Sequence, residues 1–65
     1  MTTFKLKAPR QLGSIPEGYE FQVASPTTHW EPNAEDVKKE LIRLGFSSQD
    51  AYHYCSAGNF IVTKL

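Results

Sequence analysis

Between Glu31 and Phe46 the chain spells out a helix with both of its ends marked. Pro32 precedes Asn33, a capping residue type, and Glu35 and Asp36 occupy the first turn, where negative charge offsets the positive end of the helix dipole. Val37, Leu41 and Leu44 fall on one stripe with Ile42 beside it, so this helix needs an apolar surface to cover. Glu35 and Lys39 have the spacing of an i,i+4 ion pair. Gly45 can take the left-handed conformation that ends a helix, which lets Phe46 fold back onto the last apolar turn.

The flanking segments supply the surface that stripe requires. From Thr3 to Ala8, Phe4, Leu6 and Ala8 alternate with Lys5 and Lys7, the period of a half-buried strand. Tyr19, Phe21 and Val23 alternate with Glu20 and Gln22 in the same way. Pro9 to Gly18 is too long for a tight hairpin, and its Leu12 and Ile15 are expected to tuck beneath the loop. Ile15-Pro16-Glu17-Gly18 reads as a β-turn, with Pro second and Gly fourth. Beyond Gly45, Ser47 to Asp50 has the look of a capping box opening a shorter helix. Ala51, Tyr54 and Cys55 share a face of that helix, and Gly58 is placed to end it. Asn59 to Leu65 is the most β-prone stretch, and its Phe60-Ile61-Val62 run suggests burial on both faces or a central or paired position.

The order is therefore β-β-α-α-β, an α+β fold in one domain, 1–65, with no linker. A right-handed crossover returning to a strand parallel to the second favours a three-stranded sheet in the order 2-1-3, with 1-2-3 as the alternative. Both helices then pack on one face. The other face carries Lys5, Lys7, Glu20, Gln22, Ile61 and Thr63. The expected core is Phe4, Leu6, Tyr19, Phe21, Val23, Val37, Leu41, Leu44, Phe46, Tyr54, Phe60 and Val62.

Size and charge narrow the function classes. A chain of 65 residues buries only about 60% of the surface it exposes when unfolded, which favours a marginal monomer or a homodimer. Seven Lys and Arg balance seven Asp and Glu, so no global field draws in nucleic acid or an anionic membrane. Met1-Thr2-Thr3-Phe4-Lys5 lacks the apolar run of a signal peptide, and no segment is long and apolar enough to span a bilayer. With one cysteine, Cys55, an intramolecular disulfide is excluded, and a reducing, cytoplasmic setting is expected.

Chemistry-bearing residues are sparse. His53 and Cys55 lie two apart on a helix and point in nearly opposite directions, and with His29 they fall short of a structural zinc set. Cys55 lacks an evident base, orienting group and oxyanion site, so no catalytic residue is assigned. Gly13, Gly18, Gly45 and Gly58 are isolated, which excludes a glycine-rich phosphate loop. No cofactor and no metal are expected. Lys5, Lys7 and Arg10 can line a strand face as nucleic-acid contacts, although Glu20 falls among them. The loop from Ser25 to Pro32 joins rigid elements, and it holds the single tryptophan. Trp30 is expected to lid the incomplete core, with recognition through Thr28, His29 and Trp30 as the alternative.

These readings converge on a small non-enzymatic module that binds a protein partner. Its candidate contacts are Thr28, His29, Trp30 and Ile61, and it is expected to form a homodimer or meet a larger protein through strand three or the face carrying Ile61. The alternative is a nucleic-acid-binding module using Lys5, Lys7 and Arg10. Size and simplicity are those of the accessory or regulatory proteins that bacteria, phages and mobile elements encode.

Overall fold

The computed structural model describes residues 1–65 apart from Thr28. Strands β1 (Thr2–Lys7) and β2 (Glu20–Ser25) are followed by helices α1 (Ala34–Arg43) and α2 (Ser48–Tyr54), a 3₁₀ turn at Ala57–Asn59, and strand β3 (Ile61–Lys64). The sheet order is β2-β1-β3, with both ladders antiparallel, as the crossover argument requires. Phe4 faces Val23 and Leu6 faces Phe21 across one ladder, and Leu6 faces Val62 across the other.

Alternation decides the burial. Phe4, Leu6 and Ala8 from the first strand and its end, with Phe21 and Val23 from β2, turn beneath the helices and meet Val37, Leu41, Ala51 and Phe60. Tyr19, Leu44, Phe46, Tyr54 and Val62 pack around this cluster half-buried. Tyr19 stands edge-on to Phe46 with ring centres 5.3 Å apart, and Phe21 stands edge-on to Phe60 at the same distance. Of the expected core residues, Phe4, Leu6, Phe21, Val23, Val37, Leu41 and Phe60 are buried and the rest line the core's edge, while Ala8, Ala51, Ala57 and the loop residues Leu12 and Ile15 join the buried set.

The end of α1 is a Schellman motif. The Gly45 N–H donates to the Ile42 carbonyl and the Phe46 N–H to the Leu41 carbonyl, which Gly45 permits with φ +101°. Its beginning differs from expectation: Asn33 stands at the cap position, but its side chain makes no capping bond. Ser25, fully buried at the end of β2, takes over instead. Its hydroxyl accepts from the Asn33 N–H at 3.1 Å and donates to the Asp36 carboxylate at 2.7 Å, tying the strand to the helix start. On the outer surface Glu40 pairs with Arg43, and Glu35 forms no ion pair with Lys39.

Two turns pin the long first loop. Leu12 and Ile15 exchange backbone hydrogen bonds around Gly13 and Ser14, a two-residue hairpin whose first central residue has φ +58°. Positive φ at that position is the type II′ arrangement, for which Gly is the usual choice. The β-turn expected at Ile15–Gly18 sits one residue later: Tyr19 N–H donates to Pro16 O, which puts Gly18 at the position that demands positive φ.

Further expectations need correction. Helix α2 stops at Tyr54, ahead of Gly58, which lies within the 3₁₀ turn at ordinary φ. The run Phe60-Ile61-Val62 is not buried on both faces. It enters an edge strand in which Ile61 is 54% exposed and Val62 half-buried. An apolar run of that length marks burial on both faces only in an interior strand, and here β1 takes the central place.

Candidate functional site

Helix α1 lies against β2 and α2 packs on α1, whereas β3 packs on β1 and the 3₁₀ turn. The uncovered sheet face carries Lys5 and Lys7 in the middle, Glu20 and Gln22 on one side, and Ile61 and Thr63 on the other, as alternation predicts. Glu20 is opposite Lys7 in the ladder and lies 3.8 Å from the Lys5 ammonium on the diagonal. The basic strip of the nucleic-acid alternative is therefore interrupted by a carboxylate, and its third member, Arg10, lies exposed in the loop after β1.

Backbone parity defines the free edge. The Leu65 N–H donates to the Thr3 carbonyl at 2.9 Å. In an antiparallel ladder a residue's N–H and C=O point to the same side, and successive residues point to opposite sides. Ile61, Thr63 and Leu65 therefore turn their backbone groups toward β1, and Val62 and Lys64 turn theirs outward, where no described residue meets them. On the open sheet face this edge is flanked by the exposed side chains of Ile61 and Leu65, the latter 62% exposed.

Trp30 stands on the other side of the same edge. It is 84% exposed, so it does not lid the core. The core instead buries Phe60, Phe21 and the tucked Leu12 and Ile15 without it. The Lys64 ammonium lies 5.4 Å from the Trp30 ring centre, a cation–π contact that anchors the loop tip beside β3. The loop is held nearby by the Thr2 hydroxyl donating to the Thr27 carbonyl and by the His29 N–H donating to the Thr27 hydroxyl. His29 is exposed, and Thr28, the remaining candidate of this loop, lies outside the described residues.

The other polar cluster joins the first loop to α2. Asp50 Oδ2 accepts from the Ser14 hydroxyl at 2.6 Å and the Ser14 N–H at 3.2 Å, while the Asp50 N–H donates to the Ser47 cap. The capping box is thus half realised, because the Asp50 carboxylate is drawn to another element. The Ser14 hydroxyl chiefly, then the Ser14 N–H, hold its pKa below the usual carboxylate value. His53 is exposed and stacks edge-on against Tyr54, and the half-exposed Cys55 thiol lies 3.3 Å from the Tyr52 carbonyl. Among the described residues no three His, Cys, Asp or Glu side chains converge on a metal position, and no cavity is found. None of their helices is long and apolar enough to cross a membrane.

The structure therefore brings Ile61 and Trp30 to one strand edge and adds Lys64 and Leu65, which the sequence reading did not assign. Leu65 was readable, since it shares the parity of Ile61. The partner of Lys64 was not, because it depends on the course of the irregular loop from Pro26 to Asn33. No known protein family, curated protein or solved structure matches this chain.

Proposed function

We propose that this chain is a small non-enzymatic protein-interaction module whose binding surface is the free edge of β3 with Ile61, Leu65 and Trp30. The observation that carries this reading is the grouping of these three exposed apolar side chains around one unpaired strand edge. Tryptophan is enriched in binding hot spots, and an unpaired edge offers backbone hydrogen bonds to an extended segment of a partner.

The test is capture of partners from a lysate of the source cell by the immobilised chain, with Ile61→Lys and Trp30→Ala alongside Lys7→Ala. The reading expects a set of retained proteins that both edge variants lose and Lys7→Ala keeps. Identical retention by all four proteins overturns it. A salt titration against generic DNA and RNA checks the alternative centred on Lys5, Lys7 and Arg10, which requires affinity that falls steeply with salt.

A further inference from the structure

We propose that the β3 edge pairs with the β3 edge of a second copy, antiparallel about a two-fold axis at Thr63, making one six-stranded sheet. This rests on reading that edge as the interaction surface and names its occupant.

The backbone parity selects the register. Val62 and Lys64 alone turn their N–H and C=O groups outward, so a two-fold pairing that uses all of them must place Val62 opposite Lys64 of the other copy. Each such pair exchanges two hydrogen bonds, and the two-fold repeats it, giving four. Thr63 then faces its own equivalent, and Ile61 faces Leu65 of the other copy.

The side chains agree with that register. On the open face Ile61 and Leu65, both more than half exposed, cover one another at each end of the contact with a Thr–Thr pair between them. Cross-strand pairs of these types are among the stabilising ones. On the helix side the Lys64 stem lies along Val62 of the other copy while its ammonium stays over Trp30. Moving the axis to Val62 or Lys64 separates Ile61 from Leu65 and leaves outward backbone groups unpaired. The segment Ile61-Val62-Thr63-Lys64-Leu65 is thus complementary to itself in both its backbone and its open-face side chains. β2 has no comparable edge: its outward residues are Glu20, Gln22 and Ala24, and self-pairing about Gln22 would set Glu20 opposite Ala24 with no apolar pair on the open face. Five residues of contact per copy fall below a standard interface, so the dimer belongs to the weak class.

Cysteine scanning tests the register in a Cys55→Ala background under mild oxidation. Residues facing one another as a non-hydrogen-bonded pair have Cα atoms about 4.5 Å apart, within disulfide range. Thr63→Cys should therefore cross-link to itself at least about tenfold faster than Ile61→Cys or Leu65→Cys alone, whose equivalents lie roughly 13 Å apart at about 3.3 Å per residue. Mixing the last two variants should restore rapid cross-linking. In parallel, sedimentation of the unmodified chain up to about 1 mM should show its average mass rising toward twice the monomer, as expected of a weak pair. Lys64→Pro removes an outward N–H that the monomer does not use and should abolish the rise, whereas Lys64→Thr should retain it, both keeping the wild-type circular dichroism.

A constant monomer mass, or equal cross-linking at all three positions, overturns the self-pairing. So does a dimer that survives Lys64→Pro. Those outcomes are separate from failure of the interaction reading, which is scored on other proteins through Trp30→Ala and Ile61→Lys.

Discussion

Gly13→Ala is expected to destabilise this fold through two separable effects, and two other glycines supply the controls. The first effect is backbone strain. At φ +58° an alanine pays a penalty of about 1–2 kcal/mol for a left-handed conformation. The second is contact. A Cβ built on Gly13 would lie 2.8 Å from Asp50 Oδ1 and 2.9 Å from Tyr54 Cε2, closer than real Cβ atoms come. Asp50 can swing aside only by leaving Ser14, and the Tyr54 ring is packed against the core, so α2 must move from the loop. Overpacking of this kind costs about 1–3 kcal/mol, bringing the total to about 2–5 kcal/mol. Gly18→Ala, at φ +82°, and Gly45→Ala, at φ +101°, meet nothing within 4 Å and should show the strain alone. A chain of this length has roughly 3–10 kcal/mol to lose at about 0.05–0.15 kcal/mol per residue, so Gly13→Ala should leave a large unfolded fraction. Urea unfolding followed by far-ultraviolet circular dichroism measures all three, and each 1 kcal/mol should lower Tm by about 4–8 °C. Equal losses at Gly13 and Gly18 would refute the close approach of α2 to the loop.

Ser25→Ala leaves the Asn33 N–H and the Asp36 carboxylate without their buried partner and should cost about 1–3 kcal/mol in the same assay; a change no larger than the about 0.5 kcal/mol of a neutral surface site would show that the relay is dispensable. Leu41→Ala opens the centre of the core and should cost about 2–5 kcal/mol. The lowered pKa of Asp50 makes its contribution to stability present above about pH 4, the unfolded value, and lost as pH falls through the folded value, because the unfolded chain takes up the proton first. The stability gap between wild type and Asp50→Asn should accordingly narrow on acidification through that window, and a gap constant with pH would remove the Ser14–Asp50 clamp from the account. Trp30, being 84% exposed, should emit like a solvated indole in the folded monomer and change little on unfolding; a marked red shift on adding urea would place it inside the core after all.

The fold was readable where local signals and burial pattern pointed the same way. In α1 the apolar stripe, the acidic first turn and Gly45 all agree, and the Schellman bonds form where Gly45 and Phe46 put them. Crossover handedness favoured the order 2-1-3 and left 1-2-3 open; the order that forms gives Leu6 at the sheet centre apolar neighbours on both sides, Phe21 and Val62. What was missed depends on partners distant in the chain. Asn33 is a good local cap, yet its side chain makes no capping bond, and Ser25 from eight residues earlier accepts from the Asn33 N–H instead. Asp50 has a capping-box position, but Ser14, 36 residues away, offers its carboxylate both a hydroxyl and an N–H. Short polar side chains bind whichever donor tertiary packing delivers, and sequence spacing alone carries no record of that choice.

The candidate site illustrates the same limit from the opposite side. Ile61 was legible as an outward residue because strand parity is a local rule. Trp30 was not, because a tryptophan in an irregular loop can equally close a core or stand clear of it, and only the completed packing decides. Here the core is buried without it, and Trp30 stands 84% exposed. The tertiary clamps are also distributed unevenly. Ser25 fastens β2 to α1 and Asp50 fastens the loop to α2, whereas β3 relies on its ladder with β1, the burial of Phe60 and Val62, and the Lys64–Trp30 contact. A strand held on one side only has the most to gain from hydrogen bonds on the other. Amide exchange at Val62 and Lys64 should therefore be fast in dilute solution and slow as the edge is covered, while the amides of Leu6 and Phe21, inside the β1–β2 ladder, stay protected throughout. Protection at Val62 and Lys64 in a dilute monomer would mean that the edge is already satisfied and has no backbone groups left to offer a partner.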